Sequence, residues 1–312
     1  MSHPLHAQIT EVGPRDGFQA ERDFIPTARK IEFIDRLIDA GVPRIEATSF
    51  VSPRAVPQLA DAEEVMRSVD RTRGAVISAL VPNKRGALRA AESAVDEMVV
   101  FVSASQSHNR KNVNRAIEES LVGFEDVARV AEEARIPVHG AISVAFGCPF
   151  EGDVAPARAG EIARRFQQLG FIGASLGDTT GMATPPLVAA AVSAVREAAP
   201  GLGLGLHFHN TRGIGLANVM AGLELGVDKY ESSFGGIGGC PFAPKATGNI
   251  CTEDLVYLFD EMGIGTGIDL RKLSGIACDV EVAVGHELPG QIMKAGLRLD
   301  LHSMDSVRVA EG

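Results

Sequence analysis

Long apolar runs are absent from this sequence. No stretch of about 18 apolar residues occurs, which excludes a typical membrane-spanning helix. The first residues, MSHPLHAQITEVG, lack the basic segment and apolar stretch of a secretory signal, and the last, VRVAEG, match no peroxisomal or retention address. These absences lead us to expect a cytoplasmic protein.

Cysteine and positive charge are also scarce. The four cysteines, at positions 148, 240, 251 and 278, form no CxxC pair and no dense framework, so we expect reduced thiols. Thirty Lys and Arg residues against 40 Asp and Glu residues give a formal net charge of −10. This charge argues against nucleic acid or an anionic membrane surface as a partner, although a local basic pocket for an anionic ligand remains compatible with it.

The 312 residues and the hydrophobic content of 45% suit one large α/β domain or two ordinary ones. Short apolar runs alternate with amphipathic helical patterns such as TARKIEFIDRLIDAG, whose apolar positions follow the 3.6-residue period and stop at Gly41. The predicted strands are 8–12, 44–48, 75–80, 97–103, 138–145, 173–176, 204–209 and 229–233.

Eight strand–helix units, roughly 30 residues apart, predict a (β/α)₈ TIM barrel, a fold of about 250 residues. The competing interpretation is a doubly wound open sheet, but no GxGxxG motif opens the first helix. We therefore predict a single TIM-barrel domain over residues 1–285, with a short C-terminal helical extension over 286–312.

Polar and ionisable residues gather where the predicted strands end. In a TIM barrel, the active site is built from the C-terminal strand ends and the loops that follow them. The residues at these positions are Arg15, Asp16, Glu46, Ser103, His108, Ser143, Asp178, His207, His209 and the glycine-rich loop after Ser233.

The stretch GLHFHNTRG predicts a metal site. Side chains alternate along a strand, so His207 and His209 point the same way and Phe208 points the other. Together with Asp16 they supply one carboxylate and two imidazoles, which suits Mg²⁺, Mn²⁺ or a related ion acting as a Lewis acid. A closed zinc site is disfavoured because no further Cys or His lies at the short spacings of such sites. The alternative is one hydrogen-bonded core histidine and one solvated histidine.

Arg15 follows the first strand in VGPRDGFQAE, and Glu46 closes the second in RIEATSF. A glutamate against Arg15 would keep its guanidinium aimed at a reacting oxygen. The alternatives are an ordinary turn around Arg15 and Asp16, and a Glu46 that pairs with some other arginine.

The stretch SSFGGIGGCPFAPKATGN has four glycines in the five residues before Cys240. Such a loop can approach a ligand closely, and Cys240 on it is placed to act as an acid or a gate over substrate. The alternative is a flexible loop with a surface thiol. Asn249, which follows, offers a neutral oxygen ligand.

These motifs resemble the 3-hydroxy-3-methylglutaryl-CoA lyase family, which is related to the catalytic barrels of pyruvate carboxylase and isopropylmalate synthase. The resemblance covers roughly residues 8–270, in order and at matching spacing, and its most specific motif is the glycine loop that carries Cys240. The motifs are VGPRDGFQAE, IEATSFVSP, LVPNKRG, FGCPFEG, SLGDTTGMATP, LHFHNTRG and GGIGGCPFAPKATGNICTEDLVYL.

The resemblance implies a divalent-metal-dependent carbon–carbon lyase that converts an acyl-CoA to acetyl-CoA and acetoacetate by retro-Claisen chemistry, and it suggests a homodimer. The implied metal ligands are Asp16, His207, His209 and Asn249. The implied catalytic residues are Arg15, Asp16, Glu46, His207 and Cys240, with His207 or Asp16 as the base. The expected substrate-binding residues are Arg15, Ser143, Asp178, His108 and Arg212.

Departures from the family pattern concentrate at the expected substrate rim. This chain has HNTRGI at 209–214 where the family usually has HDTYGQ, and SASQSHNRKN replaces the usual loop after the fourth strand. The added His108, Arg110 and Arg212 lead us to expect an acyl group that ends in an acid. A lyase or aldolase for a different branched hydroxyacyl-CoA or hydroxy acid, and a non-catalytic metal-binding barrel, are the alternatives.

Overall fold

The computed structural model describes residues 3–239 and 248–301. Eight parallel strands close into a barrel in chain order, with β8 paired to β1. The predicted (β/α)₈ barrel is confirmed. The strands are β1 (Gln8–Glu11), β2 (Arg44–Ser49), β3 (Val76–Leu80), β4 (Glu97–Ser103), β5 (Val138–Ser143), β6 (Gly173–Asp178), β7 (Gly203–Phe208) and β8 (Lys229–Ser232).

The strand ends differ from the predicted ones by up to two residues. β4 has its predicted bounds, whereas β7 begins one residue earlier than predicted and ends at Phe208, so His209 lies just beyond it. The parallel register pairs Ser103 with Ser143 and His207 with Glu231. Residues from different strand ends therefore meet at one mouth of the barrel.

Helices surround the barrel and bury apolar faces against it; α2, for example, buries Ile34, Leu37 and Ile38. Within the described ranges the helices are α1 (Phe18–Ala20), α2 (Thr27–Asp39), α3 (Ala62–Ser68), α4 (Lys84–Glu92), α5 (Gln106–Val113), α6 (Ile117–Ala134), α7 (Pro156–Gln168), α8 (Pro185–Ala198), α9 (Gly215–Glu224), α10 (Thr252–Glu261), α11 (Leu270–Val284) and α12 (Ile292–Ala295). None of them is long and apolar enough to cross a membrane.

Four helices, α1, α5, α10 and α11, occupy segments for which no helix was predicted. α5 replaces an expected loop, because the Ser105 side chain caps it by accepting from the His108 amide at 3.2 Å, although its sequence has no apolar period. α10 and α11 were also missed. In the C-terminal extension, the short α12 is held to α10, where Asp254 accepts from the Ile292 amide at 2.8 Å.

Candidate active site

A cavity of about 750 Å³ opens at the C-terminal mouth of the barrel. The polar residues of its lining come from strand ends far apart in the chain, which is the arrangement that the strand-end pattern predicted. Among them are Arg15, Asp16, His108, Ser143, His207 and His209.

Arg15 lies in a π-helical turn, Gly13–Gly17, directly after β1. Its Nε donates to Glu46 Oε1 at 2.7 Å and its NH2 to Glu46 Oε2 at 3.0 Å, while NH1 donates to Asp16 Oδ1 at 2.6 Å. Burial alone would lower the pKa of Arg15, but the charges of Glu46 and Asp16 outweigh it and raise the pKa. The guanidinium is thus a permanently charged group held at three points beside the cavity.

His207 and His209 share one side, as the alternation predicted. Their Nε2 atoms lie 3.2 Å apart, and His207 Nδ1 lies 2.9 Å from Glu231 Oε2. Burial, with the charge of His207, lowers the pKa of His209 to about 3, so His209 is neutral at physiological pH. A neutral imidazole is the form that binds a metal ion.

Asp16, His207 and His209 each offer a ligand atom within 4.8 Å of the others. Asn249 joins them through its Nδ2, which donates to Asp16 Oδ2 at 2.9 Å, and its buried Oδ1 has no hydrogen-bond partner among the described residues. A carboxylate, two imidazoles and an unpartnered amide oxygen are a suitable donor set for a divalent cation. The four residues predicted as metal ligands are therefore brought together, and they fit such an ion.

Gly238, on the glycine-rich loop, approaches this cluster closely. Its φ of +106° lies in the region that favours glycine, and a Cβ there would lie 2.5 Å from Asn249 Nδ2 and 3.2 Å from Asp16 Oδ2. The glycines before Cys240 therefore let the loop pack directly against the metal-ligand candidates. Cys240 itself, predicted as a catalytic residue, lies outside the described residues.

Glu11 joins the two loops that carry the site. This fully buried carboxylate accepts from the Gly13 amide at 2.7 Å and from the Phe234 amide at 3.0 Å. Its other oxygen accepts from the Thr252 hydroxyl at 2.6 Å. The turn with Arg15 and Asp16 is thereby fastened to the segment that leads into the glycine-rich loop.

Two of the predicted substrate-binding residues are not part of the cavity lining. Asp178 Oδ1 accepts from the amides of Met182 and Ala183 at 2.6 and 2.9 Å and so orders the loop after β6. Arg212 is exposed, and its NH1 donates to the carbonyls of Thr180 and Gly181 at 2.9 and 2.7 Å. This placement does not support the expectation that Arg212 binds an acyl carboxylate, because the guanidinium already donates to backbone carbonyls.

His108 and Ser143 do line the cavity. His108 is buried on α5, and its Nδ1 lies 2.7 Å from the Ser103 hydroxyl, which sets the orientation of the ring. Ser143 ends β5 and is half-buried. Both are placed to contact a ligand in this cavity.

Sequence reasoning missed Glu231, Ser175, Lys111 and Arg115, all of which line the cavity. The alternation along β8 was a usable signal for Glu231, because a charged side chain that faces the interior of a barrel strand is unusual. Lys111 and Arg115 lie on and just after α5, the helix that was expected to be a loop.

Comparisons with known proteins identify the family of this chain. The HMGL-like family matches residues 6–280. The chain is 44% identical over 270 residues to the mitochondrial hydroxymethylglutaryl-CoA lyase of Arabidopsis thaliana, covering 86% of this chain and 58% of that protein. It is 41% identical over 296 residues to the mitochondrial hydroxymethylglutaryl-CoA lyase of Gallus gallus, covering 95% of this chain and 99% of that protein.

A solved structure of an HMG-CoA lyase from Acinetobacter baumannii, in complex with coenzyme A and 3-methylmalate, superposes with a TM-score of 0.93 and 42% identity. The match covers 97% of this chain and 99% of that one. The likeness in sequence and in fold therefore extends over nearly the whole of both chains. The chain belongs to the HMGL-like family.

Proposed function

We propose that this protein is a divalent-metal-dependent carbon–carbon lyase that cleaves 3-hydroxy-3-methylglutaryl-CoA to acetyl-CoA and acetoacetate. One observation carries the proposal: in a chain of this family, Asp16, His207 and His209 converge beside Arg15 at the mouth of the barrel. The relatives named as hydroxymethylglutaryl-CoA lyases support the reaction class.

The cation would be held by Asp16, His207, His209 and Asn249, and Mg²⁺ or Mn²⁺ fits this mixture of oxygen and nitrogen donors. When bound, it would act as a Lewis acid that makes the substrate hydroxyl more acidic. Asp16 is positioned for this role by Arg15 and Asn249, each of which donates to one of its two carboxylate oxygens.

The reaction begins when the C3 hydroxyl gives its proton to a base, for which Asp16 and His207 are the two candidates. The C3–O bond then becomes the ketone of acetoacetate as the C2–C3 bond breaks. The electron pair of that bond passes to the thioester as an enolate, whose charge the Arg15 guanidinium stabilises. Protonation at C2 gives acetyl-CoA, and Cys240 is the proton donor suggested by the sequence.

Two cationic residues of the cavity lining suit the coenzyme A part of the substrate. Lys111 and Arg115 are exposed residues of its lining and carry positive charge in a chain whose formal net charge is −10. Cationic side chains of this kind pair with phosphate groups. The Acinetobacter baumannii relative holds coenzyme A, which supports the same assignment.

A second candidate function is cleavage of a different branched 3-hydroxyacyl-CoA. The observation that favours it is His108, a buried imidazole in the cavity lining at a position where the chain departs from its family pattern. Whether the ring donates or accepts there changes which acyl group the cavity prefers.

The deciding experiment incubates the purified protein with Mg²⁺ and a panel of 3-hydroxyacyl-CoA thioesters and identifies products by mass spectrometry. We expect acetyl-CoA and acetoacetate from 3-hydroxy-3-methylglutaryl-CoA, formed on the order of 10²-fold more slowly by the Arg15→Gln variant. Faster cleavage of another thioester would establish the second candidate, and no cleavage of any would leave a non-catalytic metal-binding barrel.

Two further predictions accompany this function. We expect a homodimer, which light scattering on the purified protein checks, and a cytoplasmic location, which fractionation of the source cells checks.

A further inference from the structure

A line of hydrogen bonds runs from the metal-ligand candidate His207 down through the interior of the barrel. Glu231 Oε2 lies 2.9 Å from His207 Nδ1, and the other oxygen of Glu231 accepts a short hydrogen bond from the Ser175 hydroxyl. Ser175 Oγ in turn lies 2.9 Å from His139 Nε2. We call these three residues, Glu231, Ser175 and His139, the interior chain.

The interior chain connects two cavities. A smaller one, of about 80 Å³, lies among residues near the N-terminal ends of the strands and is lined by His139 and by the ion pair of Arg44 and Glu97. Ser175 and Glu231 line both this lower cavity and the large cavity at the mouth. The interior chain thus links His139, in the lower cavity, to His207 at the mouth of the barrel.

The direction of the hydrogen bonds follows from what each group can donate. Ser175 has one hydroxyl hydrogen and gives it to Glu231, so its oxygen accepts from the Nε2–H of His139. Glu231, acting only as an acceptor, receives the Nδ1–H of His207 on its second oxygen. In the neutral form of His207, which is the form that binds a metal ion, this arrangement leaves the Nε2 lone pair facing His209 and Asp16.

A glycine on β6 makes room for the His139 side chain in this line of hydrogen bonds. A Cβ on Gly173, the register partner of His139, would lie 2.9 Å from the Nδ1 and Cε1 atoms of the His139 ring. Any larger residue there would push the imidazole away from Ser175. Glycine at position 173 of the neighbouring strand β6 therefore leaves the space that the His139 ring occupies.

From this geometry we infer that Ser175 and His139 are positioning residues for the metal site: acting through Glu231, they fix the tautomer and the orientation of His207. The inference rests on the proposed metal site and adds to it residues on β5 and β6 that do not touch the cation. Partners outside the ligands of a metal commonly change its affinity by about 10- to 100-fold when mutated.

The test measures Mn²⁺ affinity by electron paramagnetic resonance on protein stripped of metal, without any thioester present. We expect Ser175→Ala to weaken binding by about tenfold or more, and His139→Leu by about threefold or more. His139→Gln, whose amide N–H can replace the Nε2–H, should bind within about twofold of the wild type. In activity assays the same losses should appear mainly in kcat, with KM for the thioester little changed.

Ser78→Ala is the matched control. Ser78 is a buried serine that also lines the lower cavity, but its hydroxyl bonds to the Ile45 carbonyl at 3.3 Å and not to the interior chain. Its Mn²⁺ affinity should equal that of the wild type, and thermal unfolding of every variant separates lost stability from lost metal binding. A role in stability alone would lower the Tm of Ser175→Ala and leave its Mn²⁺ affinity at the control value, which would overturn the inference.

The outcomes separate this inference from the proposed function. A wild type that binds one Mn²⁺ per chain and shows the expected losses, yet cleaves no thioester, would support the interior chain and remove the lyase activity. A wild type that binds no Mn²⁺ would overturn both.

Discussion

Glu46 accepts two hydrogen bonds from the guanidinium of Arg15, from Nε to Oε1 at 2.7 Å and from NH2 to Oε2 at 3.0 Å. Both side chains are nearly inaccessible, at 12% and 4% exposed. A two-point ion pair fixes the plane of the guanidinium as well as its position. The remaining nitrogen, NH1, is thereby directed to Asp16. The positive charge of Arg15 and the metal-ligand candidate Asp16 are therefore fixed relative to each other.

Arg15→Gln should lower kcat by on the order of 10²-fold or more with little change in KM, because the enolate charge develops mainly in the transition state. Glu46→Gln should lower kcat by about tenfold through misplacement of Arg15. The double variant should be no slower than Arg15→Gln, since the two residues act together. Steady-state kinetics on the three variants checks this, and an effect confined to KM would reassign Arg15 to substrate anchoring.

Removal of the metal should abolish turnover and leave the fold intact. The four candidate ligands lie at the ends of strands and in loops, whereas the apolar core formed by the strands and the surrounding helices does not depend on them. Activity after EDTA treatment and gel filtration, followed by titration with Mg²⁺ or Mn²⁺, tests this, with circular dichroism as the control for folding. A stripped enzyme that works as fast as the loaded one would contradict the Lewis-acid role.

The two candidates for the base can be separated by comparing His207→Asn with Asp16→Asn. Loss of a ligand weakens Mn²⁺ binding, whereas loss of a base lowers kcat at saturating metal. His207 donates its Nδ1–H to Glu231 and would hold the cation through its Nε2 lone pair, so no lone pair of the ring remains to accept a proton, whereas each carboxylate oxygen of Asp16 has two. We therefore expect kcat at saturating Mn²⁺ to fall further in Asp16→Asn, by on the order of 10²-fold or more; the opposite order would assign the base to His207.

Lys111→Ala and Arg115→Ala should raise the KM for the coenzyme A thioester by about three- to tenfold each, because a phosphate contact at a solvent-exposed site is worth about 1 kcal/mol. A truncated pantetheine thioester lacks the nucleotide phosphates and should respond to neither change. Lys272→Ala, an exposed lysine on α11 outside the cavity lining, is the matched control. Equal effects on both thioesters would place the two cations on the acyl portion.

Asp178 gives the metal-free protein a pH-dependent stability. Burial raises the pKa of this carboxyl to about 7, against 3.8 for an ordinary aspartate, and its Oδ2 has no hydrogen-bond partner among the described residues. The native state therefore holds the proton more tightly, and the contribution to stability is full below about pH 4 and lost as the pH rises towards 7.

Asp178→Asn mimics the protonated carboxyl and should escape this loss. Between pH 5 and pH 8 the free energy of unfolding of the wild type should fall by about 2 kcal/mol relative to the variant. Urea denaturation at both values, in EDTA, gives the difference. A constant difference between the two proteins would show that Asp178 is ionised throughout.

Much of the fold follows from local sequence. The alternation of apolar runs with 3.6-residue patterns gave eight strands within two residues of their observed ends, because burial on both sides of a parallel strand demands an apolar run. The helices α1, α5, α10 and α11 were not predicted. The reason for α5 is that a polar helix held by a serine cap has no apolar period to detect.

Most residues of the candidate metal site could also be predicted from the sequence. Alternation along β7 puts His207 and His209 on one side whatever the fold around them, and parallel strands bring their C-terminal ends to one mouth. Asp16, which follows β1, was therefore predictable as their neighbour, whereas Asn249, well beyond the end of β8, was placed among the ligands by the family resemblance.

The side chains that hold the candidate ligands in place depend on the tertiary structure alone. Glu231 meets His207 only because β7 and β8 pair in a particular register, and His139 reaches Ser175 only across a closed barrel interior. Arg212, whose sequence context indicated a substrate contact, instead donates to the carbonyls of Thr180 and Gly181. Local patterns determine which face a side chain takes, whereas its hydrogen-bond partner depends on register, closure and the reach of groups from distant strands.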